Sequence, residues 1–406
     1  LARPISIAEN LLVGRLPRKQ GFLLDEKAMY REARNCLKRV GLDLDPRLTV
    51  ADISQHEAQL VEIAKVLGNQ PCILVMDEPT SALSREEVKR LFEIMRGLRN
   101  RGLTIIYISH HLPEIFEIAD RVTVLRDGKR IGTRNIADIG PADLVKMMVG
   151  KTIEDFYTER RRTIGQAVLQ VRNLTRRGFF HGVSFEARSG EILGIAGLSG
   201  SGRTELARSL CGLDPVDTGR VEVGGEALTA NAYPDTVRKG VAYLSENRKV
   251  DGLFPRLSVV DNIASTLARG HARFGIYAPA QDTAVADQII GKLDVSVPGP
   301  SAEVGVLSGG NQQKVLLGKW LALEPRILLL DEPTRGVDVK AKHAIHEAIM
   351  DLADRRRSVI LISSDLPELV GLSDRVLVMR NGRLVREMRK DELSEEAVLL
   401  AANGED

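Results

Sequence analysis

Three short stretches of this chain carry residue types that can do chemistry on a polyphosphate. The first is LSGGNQQK, Leu307 to Lys314, in which Ser308, Gly309 and Gly310 precede a helical pattern. Glycines let the backbone come close to a phosphate, and the hydroxyl and free N–H groups at a helix start favour an anion. The second is the apolar run Ile327 to Leu330 ending in Asp331 and Glu332. It places two carboxylates at the C-terminal end of a buried strand, one suited to Mg²⁺ and one to polarising a water. The third is GLSGSGRT, comprising Gly197, Leu198, Ser199, Gly200, Ser201, Gly202, Arg203 and Thr204. A buried strand, Ile192 to Ala196, feeds this loop, and a helix, Glu205 to Leu210, follows it. Spacing and context fit the phosphate-binding pattern G-x-x-x-x-G-K-[ST], except that Arg203 stands where Lys is expected. An ammonium is a compact point charge and a guanidinium is wide and planar, so Arg203 favours nucleotide but misplaces the γ-phosphate. Thr204 is left to meet Mg²⁺, and successive backbone N–H groups form the anion nest.

The elements that must position these residues occur twice. ILVMDEPTSAL, Ile73 to Leu83, aligns with ILLLDEPTRGV, Ile327 to Val337, at an offset of 331 − 77 = 254. The same offset carries Ile53-Ser54 onto Leu307-Ser308, His110 onto Ser364, and Asp127-Gly128 onto Asn381-Gly382. One domain duplicated in tandem is the expectation. Both Asp-Gly and Asn-Gly follow β-patterned runs, Arg121 to Leu125 and Arg375 to Met379, and predict hairpins. In the first copy, helical periodicity covers Ile7 to Leu12, Glu26 to Val40, Gln59 to Leu67 and Glu86 to Leu98, with strands from Ile73 and over Leu103 to Ile108. The second opens with alternating strands at Val168 to Val171 and Val183 to Ala187. The pattern predicts an α/β fold. Boundaries are expected at 1–149 for the first domain, 150–166 for a linker and 167–406 for the second. Arg160, Arg161 and Arg162 in that linker read as a solvated face.

At 406 residues, 43% hydrophobic and 28% charged, the chain has material for two ordinary cores. Its net charge of +2, from 57 basic and 55 acidic residues, gives no global field favouring nucleic acid or anionic lipid. No apolar run approaches the roughly 20 residues that cross a bilayer, and the reading expects a soluble, unexported chain. Cys36, Cys72 and Cys211 lack metal or redox spacing and are expected to be packing thiols. Subtracting the offset from Gly197 gives 197 − 254 = −57, so the first copy is expected to lack its glycine loop, as in an N-terminally truncated chain.

LSGGNQQK and the strand ending in DEPT resemble the signature and Walker B motifs of ABC ATPases. DEPTSAL and YISHHLPEI in the first half, with GRT, YLSENRK, DEPTRGVDV and LISSDLPEL in the second, are similar to one branch. That branch is the tandem ATP-binding subunit of bacterial monosaccharide importers of the ribose, galactose and xylose type. The resemblance covers essentially the whole chain. It implies two ABC-type P-loop domains, each with a RecA-like core, an antiparallel β subdomain and a helical subdomain, the first incomplete. It also implies two nucleotides held between head-to-tail halves, with ATP and Mg²⁺ as cofactors.

Carried over by position, the resemblance implies that site one uses Asp77 for Mg²⁺, Glu78 as the base or water-orienting carboxylate, and His110 as the switch histidine, with Ser308, Gly309 and Gly310 across the interface. Site two uses the loop from Gly197 to Thr204, Glu246 where such proteins usually have Gln, and Asp331 and Glu332, with Ser364 at the switch position. Its partner signature, Ile53 to Glu57, has lost both glycines, and Glu57 is expected to oppose a γ-phosphate, so site two is expected to turn over slowly. Phe179 or Phe180 is expected to stack on adenine or to pack on the small sheet. His111 is expected to be ordinary surface. The implied partners are integral-membrane sugar permeases, met by Pro255 to Tyr277 and Leu16 to Phe22, and indirectly a periplasmic or surface sugar-binding protein. The implied location is peripheral, on the cytoplasmic face of the bacterial membrane. Two rivals stand beside this reading: a nucleotide-binding remnant without turnover, open to self-association through second domains, and a tandem ATPase acting on ribosomes or DNA. The short linker leaves no room for the basic arm that the latter needs.

Overall fold

The computed structural model describes residues 1–19, 23–69, 71–80, 83, 85–109, 111–126, 128–149, 162–229, 232–267, 279–299 and 301–404. The chain divides into two units, Leu1–Met147 and Met148–Asp406.

The first unit is built on helices. Ser6 caps Ile7–Leu11 in a reciprocal capping box with Glu9, and the helices Glu26–Arg39 and Gln55–Leu67 pack on it. Leu11, Leu37, Leu91 and Phe92 sit in the resulting core. Strands β1 (Arg18–Lys19) and β2 (Leu23–Leu24) form a small antiparallel pair. Strand β3 (Ile73–Asp77) runs parallel to β4 (Thr104–Ile108), and β5 (Arg121–Arg126) pairs antiparallel with β6 (Lys129–Asn135). Leu74 and Met76 point into the helical core, whereas Ile73, Val75, Ile106 and Ile108, on the opposite face, are each about half exposed. Among the described residues β4 pairs only with β3.

The second unit holds two sheets. One is antiparallel, ordered β11-β10-β7-β8, from β7 (Ala167–Arg176), β8 (Phe180–Arg188), β10 (Thr218–Val223) and β11 (Glu226–Ala227). The other is ordered β12-β13-β14-β9-β15-β16, from β9 (Ile192–Gly197), β12 (Val241–Leu244), β13 (Ile327–Asp331), β14 (Ser358–Ile362), β15 (Arg375–Arg380) and β16 (Arg383–Arg389). All of its pairings are parallel except β15 with β16. Strands buried on both faces need unbroken apolar sequence, and β13 and β14 are buried throughout. Leu328, Leu330, Val359 and Leu361 face the core made with helices Gly309–Leu321 and Val339–Asp354. Ile327, Leu329, Ile360 and Ile362 face the antiparallel sheet and helix Arg203–Leu210. Asn381 and Gly382, both at positive φ, close the β15–β16 hairpin as the Asn-Gly signal requires.

Several expectations change. The helix placed at Gln59 begins at Gln55, because Ser54 caps it. Cys36 and Cys211 are buried packing thiols, but Cys72, just before β3, is exposed. Arg162 is not solvated surface: its guanidinium is mostly buried and pairs with Asp374 at 3.0 Å. The other two arginines of that run, and most of the expected linker, lie outside the described residues, as does Asp127. No described helix is long and apolar enough to cross a membrane.

Candidate active site

The glycine loop follows β9 directly, and two of its glycines are sterically required. Gly197 sits at φ +152°, where a Cβ would come within 2.4 Å of the Met379 carbonyl. Gly202 sits at φ +94°, with the Phe179 carbonyl 2.7 Å from the same imagined atom. Ser201 is buried and its N–H donates to the Leu198 carbonyl at 3.1 Å, folding the loop back on itself, while Leu198 is half exposed. Gly202 also serves as N-cap of Arg203–Leu210 without a side-chain cap, so the first N–H groups of that helix are left for an anion.

Across the sheet, β13 delivers Asp331 with no exposed surface. The Tyr243 hydroxyl donates to Oδ2 at 3.1 Å, while Oδ1 makes no hydrogen bond of ordinary length. Burial pushes the Asp331 carboxyl up to about 6, against the opposing pull of the Thr204 and Tyr243 hydroxyls. A free carboxylate oxygen beside a threonine hydroxyl is a hard-oxygen donor set that suits Mg²⁺, a cation that keeps several of its waters. The residues present therefore fit the metal that the sequence implies.

Glu332 leaves the strand at φ +50°, a conformation uncommon for residues other than glycine. Its N–H donates to the Ile362 carbonyl at 2.8 Å, and its carboxylate accepts the Ser364 hydroxyl at 2.9 Å. Arg203 reaches the same place. One guanidinium nitrogen donates to the Ser363 carbonyl at 3.2 Å and another lies 3.8 Å from Glu332. The loop cation thus sits beside the carboxylate that would polarise water. Both side chains are nearly buried, so little solvent screens the pair.

The other predicted residues fall in separate places. Glu246 is exposed and pairs loosely with Arg335 at 3.5 Å. Ser308 caps Gly309–Leu321, its hydroxyl accepting the Asn311 backbone N–H at 3.5 Å and the Asn311 side-chain amide at 3.1 Å. A Cβ on Gly309 would lie 2.8 Å from Arg248, and one on Gly310 would lie 2.8 Å from Ala341 and 2.9 Å from Asp338. These glycines therefore let the helix approach the segment that follows Glu332. Of the two aromatic candidates, Phe180 is wholly buried and packs in the core. Phe179 is 43% exposed next to the glycine loop, with the Arg176 guanidinium 4.2 Å above its ring. Arg176 was not a sequence candidate. It is held there by Asp214 at 2.7 Å, a carboxylate kept below its usual range chiefly by its hydrogen bonds to Arg208, with Arg176 adding to the effect.

In the first unit Asp77 and Glu78 are both exposed at the end of β3. Glu78 repeats the backbone of Glu332, with φ +44° and its N–H on the Ile108 carbonyl at 2.8 Å. His110 lies outside the described residues, and His111 is exposed at the start of Leu112–Ile118 with its N–H on the Ser109 hydroxyl. At the stretch that lacks the two glycines, Ser54 and Glu57 form a capping box: the Glu57 carboxylate accepts the Ser54 N–H at 2.8 Å. The helix start that would receive an anion is covered by one of its own side chains. Sequence reasoning anticipated the repulsion of Glu57 but not this bond.

A glycine loop, a buried Asp followed by a strained Glu, and a capped SGG helix around a parallel sheet define an ATP-binding cassette, and residues 180–335 match the ABC transporter family model. The chain belongs to the family of ribose and galactose import ATP-binding proteins. It is 43% identical over its full length to a putative ribose/galactose/methyl galactoside import ATP-binding protein of Agrobacterium fabrum, covering 81% of that protein. Over 98% of its length it is 45% identical to ribose import ATP-binding protein RbsA 1 of Rubrobacter xylanophilus, covering 80% of it. A third relative, ribose import ATP-binding protein RbsA of Streptococcus agalactiae, is 41% identical over 98% of the chain and 81% of the relative.

Proposed function

We propose that this chain is the energy-coupling ATPase subunit of a monosaccharide importer, bound peripherally at the cytoplasmic face of the bacterial membrane and driving integral-membrane permeases supplied by a sugar-binding protein. In this reading 1–149 and 167–406 are two ATPase domains joined by 150–166, and the second holds the phosphate loop. The observation that carries it is the convergence of Arg203, Thr204, Asp331 and Glu332 at one end of β9 and β13. The loop N–H groups and Arg203 bind the phosphates. Thr204 and Asp331 hold Mg²⁺, which when bound neutralises charge on the transferring phosphoryl group. Glu332, steadied by Ser364, orients the attacking water. Exposed Val250, Phe254, Leu257 and Val306 on the second unit supply apolar surface for a permease.

A second reading, nucleotide binding with little turnover, is favoured by two observations: the contact of Arg203 with Glu332, and the Glu57 carboxylate on the helix of the first unit. Steady-state ATP hydrolysis by the chain, beside Glu332→Gln and Ser308→Ala, separates the two. Turnover abolished by both substitutions supports the first reading. Bound ATP without turnover in any of the three supports the second.

A further inference from the structure

Behind the end of β14 lies a buried carboxylate that the proposed chemistry does not use. Glu368, on helix Leu366–Leu372, has no exposed surface. One of its oxygens meets His346 Nε2 at 2.7 Å, and the other accepts the Ser363 hydroxyl. That hydroxyl in turn accepts the Asp365 N–H at 3.1 Å. Burial pushes the Glu368 carboxyl upward, but the bonds from His346 and Ser363 and the nearby Lys342 outweigh it and leave a net lowering. Ser363 is the residue whose carbonyl takes Arg203, and the next residue, Ser364, donates to Glu332. Thus one buried carboxylate fixes the strand end from which two successive residues reach the loop cation and the water-orienting glutamate.

The first unit builds the same device from other parts. The offset carries Glu368 onto Glu114 and Ser363 onto Ser109. Glu114 accepts the Ser109 hydroxyl at 3.2 Å, and the Ser109 oxygen accepts the His111 N–H at 3.0 Å, repeating the wiring of Asp365. Where the second unit has His346 and Leu361, the first has Phe92 and Tyr107. The donor has moved from helix to strand: the Tyr107 hydroxyl bonds Glu114 at 2.5 Å, joined by the Thr80 hydroxyl at 2.8 Å. The rings of Phe92 and Tyr107 meet edge to face with centroids 6.1 Å apart, so the exchanged positions share one cell of the core. A carboxylate drawn out of water without donors is costly, wholly so for the buried Glu368 and in part for the half-buried Glu114, which gives the two compensating exchanges a physical reason.

We propose that Glu368, oriented by His346, is a positioning residue of the nucleotide site, holding Ser363 and Ser364 so that Arg203 and Glu332 face the phosphates, with Glu114 and Tyr107 as its first-unit counterpart. This rests on the assignment of Arg203 and Glu332 to that site. The test is equilibrium binding of Mg·ATP to the full chain, with thermal melting of each variant. His346→Phe removes the donor and is expected to weaken binding about tenfold, the loss of one bond to a buried charge. His346→Gln, which keeps an N–H, and His346→Phe with Leu361→Tyr, which installs the first-unit donor, are expected to recover to within about threefold of the parent. A folded His346→Phe that binds like the parent overturns the proposal. So does impaired binding that neither partner variant recovers at parental melting temperature. If His346→Phe does not fold, Ser363→Ala decides: weakened Mg·ATP binding supports the proposal and parental binding overturns it. Arg203→Ala and Glu332→Gln run alongside, because parental binding in both places the fault in the site assignment itself.

Discussion

The same four residues, Asp-Glu-Pro-Thr, follow a strand of apolar residues in both units, at the end of β3 in the first and of β13 in the second, and they meet different surroundings. Asp331 is wholly buried beneath Tyr243, whereas Asp77 is exposed. Ile360 and Ile362 have no more than 1% of their surface exposed, whereas their counterparts Ile106 and Ile108 are 48% and 47% exposed. The backbone is nonetheless the same in both, with Glu78 and Glu332 at positive φ and bonded to the neighbouring strand. Local sequence thus sets the turn that presents the carboxylates, and the layers on either side of the sheet set their chemistry. Strand β14 has β9 on its second edge, and β9 carries the glycine loop.

The comparison breaks first at the sheet. Ile360→Thr buries a hydroxyl and opens a gap, and is expected to cost about 3 kcal/mol in chemical denaturation. Ile106→Thr is expected to cost less than about 0.5 kcal/mol. Equal losses would mean that the two faces are equally covered in solution.

Next comes the buried carboxylate. Asp331→Asn is expected to weaken Mg·ATP binding by at least about tenfold in calorimetry. It is also expected to stabilise the nucleotide-free chain at pH 8. The folded Asp331 carboxyl is raised to about 6, so its ionisation opposes folding above that pH. The gain in melting temperature should be full above about pH 6 and should fade as the pH falls towards the unfolded carboxylate value.

A smaller effect is expected at the loop cation. Arg203→Lys replaces a fork that spans Ser363 and Glu332 with a point charge, and is expected to raise ATP turnover several-fold in a steady-state assay. Unchanged turnover would mean that the contact with Glu332 does not limit the reaction. The smallest change expected is at the capping box of the first unit. Glu57→Ala removes the bond to the Ser54 N–H and is expected to cost about 0.5–1 kcal/mol in the unfolding of that unit.

Most of what positions the site was legible because it is written in short-range rules. The glycine loop between β9 and its helix follows from spacing alone, and the Asn381-Gly382 hairpin from the positive φ that such a turn needs. The apolar run of β13 announced a strand covered on both faces. What escaped depends on partners distant in sequence. Nothing near Arg162 forecasts Asp374, and nothing near Phe179 distinguishes it from Phe180 until Arg176, held by Asp214, closes over its ring. The start of the helix at Gln55 was locally readable, since Ser54 and Glu57 have capping-box spacing. The exchange of His346 and Leu361 for Phe92 and Tyr107 becomes meaningful only once His346 is seen to supply a donor to the buried Glu368 and Tyr107 one to the half-buried Glu114.

Where nucleotide is held is tested most directly by counting it. Mg·ATP bound per chain would be measured for the parent, Asp331→Asn and Asp77→Asn. The account predicts about one nucleotide per parent chain, lost in Asp331→Asn and retained in Asp77→Asn. Two nucleotides per chain, or one that is lost with Asp77 and kept without Asp331, would contradict it.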